Sequence, residues 1–271
     1  MPPERRLAFP MADIKPQVYK DPRPAEEFTH FHRWARSHDA GWVYDLARVV
    51  VTPIAVGIYR CWPIAPTNVP GSGPVILAPN HFSNFDHFIT GIYLRRRIRF
   101  MAKSQLFGKS RILTYILRVG GTFPVRRGHR DEEAFVTAHS ILDQGGCVLI
   151  YAEGGRSRTG RLGEPRPGVG RLALESGVPV VPTAIAGSER ARNWRRLQFP
   201  KVTVQYGEPI VFQPVAEPSR EQQLAAATQI FDRVREMYVA LDQKGRRGVA
   251  RALRDGVAAR TETKVPAGQP R

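Results

Sequence analysis

A histidine stands five positions ahead of an aspartate in Asn80-His81-Phe82-Ser83-Asn84-Phe85-Asp86, directly after the apolar run Pro74-Val75-Ile76-Leu77-Ala78. A carboxylate in reach of an imidazole bonds one ring nitrogen, fixes the tautomer and favours the imidazolium formed when the ring takes a proton. The pair therefore suits general-base work on an alcohol, with His81 as base and Asp86 as its orienting partner. The plainer alternative is a loop histidine bonded to a helix-capping aspartate.

Three more turns carry groups of a complementary kind. Gly121-Thr122-Phe123-Pro124-Val125 ends in Arg126-Arg127, and Cys147-Val148-Leu149-Ile150 runs into Tyr151-Ala152-Glu153-Gly154-Gly155-Arg156-Ser157. Val178-Pro179-Val180-Val181-Pro182 opens a fourth apolar run. Guanidinium groups match phosphate oxygens with a planar fork of donors, which makes Arg127 and Arg156 candidate phosphate clamps. Gly154 and Gly155 let backbone amides approach the same anion. Each turn also has an ordinary reading: Arg126, Arg127, His129 and Arg130 as a solvated basic loop, Glu153 as a helix-capping partner.

The elements that must position these groups are four buried strands whose ends converge. Strands are expected near Val75–Ala78, Ile98–Ala102, Gly121–Val125, Cys147–Ala152, Val180–Ala186 and Val202–Tyr206, with helices between them. A long helix over Arg220–Gln243 places Leu224, Ala227, Ile230, Phe231, Val234 and Met237 on one face. The alternation predicts an α/β fold: a single domain with a mostly parallel central sheet flanked by helices.

In this order and spacing, the four blocks resemble those of the glycerolipid acyltransferase family, the lysophosphatidic acid acyltransferases and their relatives. That family is marked by Asn-His-x4-Asp, Gly-x5-Arg, Phe-Pro-Glu-Gly-Thr-Arg-Ser and Val-Pro-x-x-Pro. The resemblance runs from about Asn68 to Phe212. It implies acyl transfer from an acyl thioester to the free hydroxyl of 1-acyl-sn-glycerol-3-phosphate, giving phosphatidic acid, without an acyl-enzyme. His81 and Asp86 are then the catalytic pair. Arg127, Glu153, Gly154 and Arg156 hold the acceptor, and Pro182 shapes the pocket. No metal or cofactor is implied; acyl-CoA or acyl carrier protein enters as the donor substrate. Another lysophospholipid, a glycolipid or an aminoacyl lipid is the alternative acceptor. The chain departs from the pattern at Tyr151-Ala152, at Gly155 and at Arg126, whose extra charge favours an anionic headgroup.

A formal net charge of +17 points to an anionic partner. Nucleic acid and an anionic membrane surface are the two classes, and no nucleic-acid module is present to support the first. Leu46–Ile64 has an unbroken apolar stretch too short to span a bilayer, with Trp42, Tyr44, Tyr59 and Trp62 as interfacial aromatics. Packing of the same helix on the sheet is the alternative. Pro53 is expected to kink or divide it. The expected layout is a disordered 1–24, N-terminal helices and a membrane-interface anchor over 25–65, the acyltransferase α/β domain over 66–243 and a basic, disordered 244–271. Val249, Leu253 and Val257 in that tail also fit a short amphipathic helix.

Only Cys61 and Cys147 occur, each in an apolar context, so no disulfide framework and a reducing compartment are expected. Met1 to Arg6 leads into no apolar signal region, which with the cysteines predicts a peripheral protein on the cytoplasmic face of the cell membrane. His30, His32 and His38 lack metal-ligand spacing and read as exposed; His87 reads as a surface or packing residue.

Overall fold

Val75–Pro79 is buried at every position, the pattern of a strand covered on both faces. In the computed structural model, residues 20–157, 159–191 and 199–262 are described, the side chains of 257–262 apart. The elements run α1 (Thr29–Ser37), α2 (Trp42–Pro53), β1 (Trp62–Ile64), β2 (Val75–Pro79), α3 (Asp86–Ile89) and β3 (Arg99–Lys103). They continue with α4 (Arg111–Val119), β4 (Thr122–Val125), α5 (Glu132–Asp143), β5 (Cys147–Leu149), α6 (Pro167–Ser176), β6 (Val180–Ala186), β7 (Thr203–Tyr206) and α7 (Arg220–Glu262).

The strands form one sheet in the order β1-β7-β6-β2-β5-β3-β4. Five of them, from β6 to β4, run in one direction; β7 opposes β6, and β1 runs parallel to β7. Side chains alternate across β2. Ile76 and Ala78 pack with Ala134 of α5, Leu172 of α6 and Phe231 of α7. Val75 and Leu77 enter the opposite cluster with Tyr44 and Ile89. The result is the expected α/β fold with helices on both faces.

The apolar segment Leu46–Ile64 divides at Pro53, as expected: the missing amide interrupts the ladder, and a wider π turn covers Ile54–Ile58. Four expectations are corrected. Arg60 turns the chain at a positive φ of 44° into β1, a strand the sequence reading lacked. The tail does not start at 244, because α7 continues to Glu262 with one break, and Val249 is buried beside Leu241. At the other end Asp21 is buried, pairing with Arg23 at 2.7 Å and accepting from Ser104 Oγ, so 20–24 are ordered. Residues 1–19 and 263–271 lie outside the described residues, as do 192–198 and Arg158.

The basic run Arg95–Arg99 is largely consumed by the fold. Arg99 is buried and donates to the carbonyls of Ala35, His38 and Gly121, joining the end of α1 to the sheet. Arg96 donates to Pro70 and Gly145, and Arg97 pairs with Asp45. Cys61 and Cys147 are free and buried.

His32 is the fourth correction: it is buried rather than exposed, with Nδ1 at 2.9 Å from Thr137 Oγ1. Burial pulls its pKa down to about 4. A histidine kept neutral by the fold contributes stability that is complete above its unfolded pKa of ~6.5 and is lost as pH falls towards 4. The full extent is roughly 3 kcal/mol at 1.36 kcal/mol per unit. Denaturant unfolding at a series of pH values is expected to show a shallower acid decline in His32→Asn than in the unsubstituted protein; parallel curves would exclude His32 as a source.

On the outer side, α2 leaves its apolar face bare. Val49 is 70% exposed, and Leu46, Val50 and Trp42 are exposed around it. Ile112 of α4 is 74% exposed, with Tyr115 and Ile116 beside it on the same helix. The two helices meet where Gly41 N donates to Val119 O at 2.7 Å. Among the described residues no single helix is long and apolar enough to cross a membrane. The segments Ala25–Ser37 and Trp42–Ile58 meet that length and composition only together, across an 82° bend.

Candidate active site

The loop that carries His81 begins where β2 runs out of strand. Asn80 replaces the next rung of the ladder with its side chain: its amide donates to Ile185 O at 3.0 Å, and its carbonyl accepts Ile185 N at 2.7 Å. The backbone of β6 thus fixes the residue immediately before His81. After it, one oxygen of Asp86 organises the whole turn. Asp86 Oδ2 accepts the backbone amides of Phe82 and Ser83, each at 2.7 Å, and lies 2.9 Å from His81 Nδ1. The aspartate is the first residue of α3, so helix and loop are locked by the same carboxylate. Tyr206 of β7 holds α3 from beneath, donating from its hydroxyl to Thr90 O at 2.7 Å.

This geometry joins His81 and Asp86 as expected and directs the bonded nitrogen inward. Nε2 of His81 has no hydrogen-bond partner among the described residues, which leaves it to accept a proton. Burial lowers the His81 pKa, the Asp86 hydrogen bond and charge pull it back up, and Arg156 and Arg127 push it down again. The net direction is below 6.5, so the ring is neutral at pH 7 and competent as a base. Tyr151 stacks flat on it, with ring centroids 3.7 Å apart and an interplanar angle of 12°.

Of the two roles expected for His87, surface or packing, the structure shows packing. Its ring meets His81 edge-on at 5.0 Å and Tyr151 at 5.1 Å, and burial holds its pKa at about 4. It packs the His81 ring in place as a neutral group. Asn80 and Tyr151 were legible only as letters in motifs; their positioning roles follow from the bonds and the stack.

Arg127 follows β4 and Arg156 follows β5, so both reach the same edge of the sheet as His81. They are close enough that the Arg156 charge, together with burial, lowers the Arg127 pKa from its usual value. No carboxylate lies within ion-pair distance of Arg127 among the described residues. A half-buried guanidinium beside another one, with no balancing acid, is a site for an anion. Gly155 sits against it: a Cβ there would come 3.3 Å from Arg127 Nη1. A larger residue at 155 would press on the clamp. Arg126 turns away and donates to Arg23 O at 2.9 Å, so its charge serves the N-terminal segment and not the acceptor site.

Three of the expected binding residues do structural work. Glu153 accepts His81 N at 3.0 Å on one oxygen and Gly163 N at 2.8 Å on the other. It ties the His81 loop to the loop after β5, and burial raises its pKa despite both amides. Gly154 takes a φ of 65°, which L-residues seldom adopt, and turns the chain so that Ser157 N can bond His81 O at 2.8 Å. Pro182 lies within β6, in register with Ala78. Its carbonyl accepts Gly207 N at 2.8 Å, so its ring nitrogen faces the same side, beyond the end of β7, and the ladder to β2 loses nothing. Sheet geometry, not a pocket wall, explains that proline. Among the described residues no cluster of three or more His, Cys, Asp or Glu side chains is arranged to hold a metal.

Comparison with known proteins places this geometry. Residues 64–186 match the family model described as Acyltransferase. The 1-acyl-sn-glycerol-3-phosphate acyltransferase BAT2, chloroplastic, of Brassica napus is 28% identical over 124 residues, covering 45% of this chain and 36% of that protein. A probable 1-acyl-sn-glycerol-3-phosphate acyltransferase of Mycoplasma genitalium is 30% identical over 122 residues, covering 42% of this chain and 45% of that protein. The chain thus spans between about a third and a half of the length of these curated relatives. The crystal structure of the 1-acyl-sn-glycerophosphate acyltransferase PlsC from Thermotoga maritima shares the fold, with a TM-score of 0.56 at 20% identity over 82% of this chain and 84% of that one. His81, Asp86, Arg127 and Arg156, drawn to one sheet edge, all lie inside the segment 64–186 that is similar to the Acyltransferase family model.

Proposed function

We propose that this protein transfers an acyl group from a thioester to the free hydroxyl of 1-acyl-sn-glycerol-3-phosphate, giving phosphatidic acid. The observation that carries this reading is the His81 Nδ1 to Asp86 Oδ2 contact at 2.9 Å, with Nε2 left open beside the unbalanced Arg127. Nε2 removes the hydroxyl proton as the oxygen attacks the thioester carbonyl. The C–S bond breaks, and the departing thiolate takes the proton back from the imidazolium, which Asp86 has stabilised in the interval. Arg127 and Arg156 hold the phosphate of the acceptor. Acyl-CoA and acyl carrier protein both present the required thioester.

The test is acceptor-dependent release of free thiol from oleoyl-CoA, followed with a thiol reagent. Lysophosphatidic acid is expected to be used in preference to lysophosphatidylcholine and glycerol 3-phosphate. Equal rates with lysophosphatidylcholine would remove the phosphate-clamp assignment, and thiol release without any acceptor would identify a hydrolase.

Both substrates carry long acyl chains, and the bare faces of α2 and α4 supply a matching surface. We propose that they seat the protein peripherally on an anionic membrane at the cytoplasmic face, a compartment compatible with two unpaired cysteines. Burying a large aliphatic side chain is worth about 1.5–3 kcal/mol. Leu46→Glu with Val49→Glu is therefore expected to weaken sedimentation with phosphatidylglycerol vesicles by about tenfold or more. Unchanged sedimentation would move the contact elsewhere, and release of the protein from vesicles by salt alone would make it purely electrostatic.

A further inference from the structure

The segment expected to be a loose basic tail builds a second concave site. α7 breaks at Gly245, whose φ of 63° and ψ of 165° lie in a backbone region open essentially to glycine alone. Beyond the break Arg246 donates to Arg60 O at 2.7 Å and lies over the Trp62 ring, while Val249 enters the core. A cavity of about 540 Å³ forms between this break, the end of β6 and the start of β7.

Its charge is lopsided. Arg190, Lys201, Lys244, Arg246 and Arg247 line it, against Glu189 and Asp242. Glu189 is already engaged, accepting Gly187 N at 2.8 Å and pairing with Arg190 at 3.6 Å. Lys201, Lys244 and Arg247 have no acidic partner within ion-pair distance among the described residues.

Its position gives the charge a purpose. β6 and β2 run in the same direction, so Ala186 and His81 emerge on the same sheet edge. Arg127 and Arg156 follow β4 and β5, on the far side of β2 in the strand order. Tyr238 links the cavity to the catalytic loop, lining the former and packing on Phe82 with ring centroids 5.7 Å apart. Direct transfer requires both substrates at His81 together. With the acceptor phosphate on one flank, the other flank remains for the donor.

Building on the proposed acyl transfer, we infer that this cavity binds the phosphorylated nucleotide end of a coenzyme A thioester. The phosphates meet the cations around Gly245, and the pantetheine arm runs past Tyr238 and Phe82 to His81. A concave site of this volume lies in the range of about 300–1,000 Å³ usual for small ligands. An acidic carrier protein would instead need a broad surface of roughly 600 Å² or more on this chain.

Calorimetric titration of the full chain with coenzyme A tests the site without any turnover. Coenzyme A is expected to bind more tightly than dephospho-coenzyme A, and Lys244→Glu with Arg247→Glu to raise its Kd by about tenfold or more. Both positions are exposed, and circular dichroism checks the fold. Arg127→Gln is expected to leave coenzyme A binding within about twofold, since it sits on the acceptor flank. An unchanged Kd in the double variant, or absence of binding to the unsubstituted protein, overturns the inference. So does consumption of an acyl carrier protein thioester that the double variant loses while coenzyme A fails to bind. Coenzyme A binding lost in the double variant, with no acyl transfer in the unsubstituted protein, keeps the site and sinks the reaction, so the two failures are told apart.

Discussion

His81→Ala is expected to lower kcat by about 10²–10⁴-fold, the usual contribution of a positioned general base, with the substrates still bound. The ring is 3% exposed and held on one side by Asp86 and on the other by the Tyr151 face. Alanine removes the proton acceptor but leaves the backbone bonds of the loop, which run through Asp86 and Glu153, in place. The pH profile provides an independent reading. Because the His81 pKa lies below 6.5, kcat/KM should be flat around neutrality and fall only on the acid side, below that value, as the ring takes up a proton. Stopped thiol-release assays across pH measure both effects. A variant that retains the unsubstituted rate would remove His81 from the chemistry.

Asp86→Asn is expected to cost about 10²-fold in kcat, near 3 kcal/mol at 1.36 kcal/mol per decade, and to shift the acid limb further down. The amide oxygen can still accept Phe82 N and Ser83 N, so the loop persists. What disappears is the negative charge that favours the imidazolium and pulls the His81 pKa upward. The amide nitrogen must also occupy the place of Oδ1, which is buried and has no partner in the protein, so two new donors go unsatisfied there. A lower melting temperature should accompany the kinetic loss. The direction of the acid limb separates the two contributions, because simple unfolding moves the limb to higher pH and loss of the carboxylate moves it lower.

The sheet was readable because buried parallel strands are written as short apolar runs, and all six expected strands form. β1 escaped because Trp62-Pro63-Ile64 has no contrast with the apolar helix before it, and the turn that separates them rests on Arg60 in a conformation its side chain does not announce. The convergence of His81, Asp86, Arg127 and Arg156 was expected from residue type and spacing, and the fold brings them together. The work of Glu153 was not expected: a carboxylate reads as a ligand or a cap, and only the fold reveals two backbone amides arriving from 72 and 10 residues away. The same holds for the segment after Gln243. Its charge suggested solvent, while burial of Val249 and the glycine-only break depend on a surface that exists only after β6 and β7 are paired.

The antiparallel closure of the sheet has a kinetic consequence. β1 pairs with β7 across nearly the whole domain, Trp62 beside Thr203, and β2 cannot complete its ladder until β6 arrives. Asn80 then has no partner until Ile185 has been synthesised and docked. Long-range pairings of this kind demand loop closure before any contact rewards it, and they form slowly. A ribosome-bound chain stopped short of residue 186 holds the histidine and the aspartate without the rung that aims them. His81 and Asp86 are therefore aimed only late in synthesis, after the domain has closed, and a nascent chain holds the pair without the geometry that lets it work.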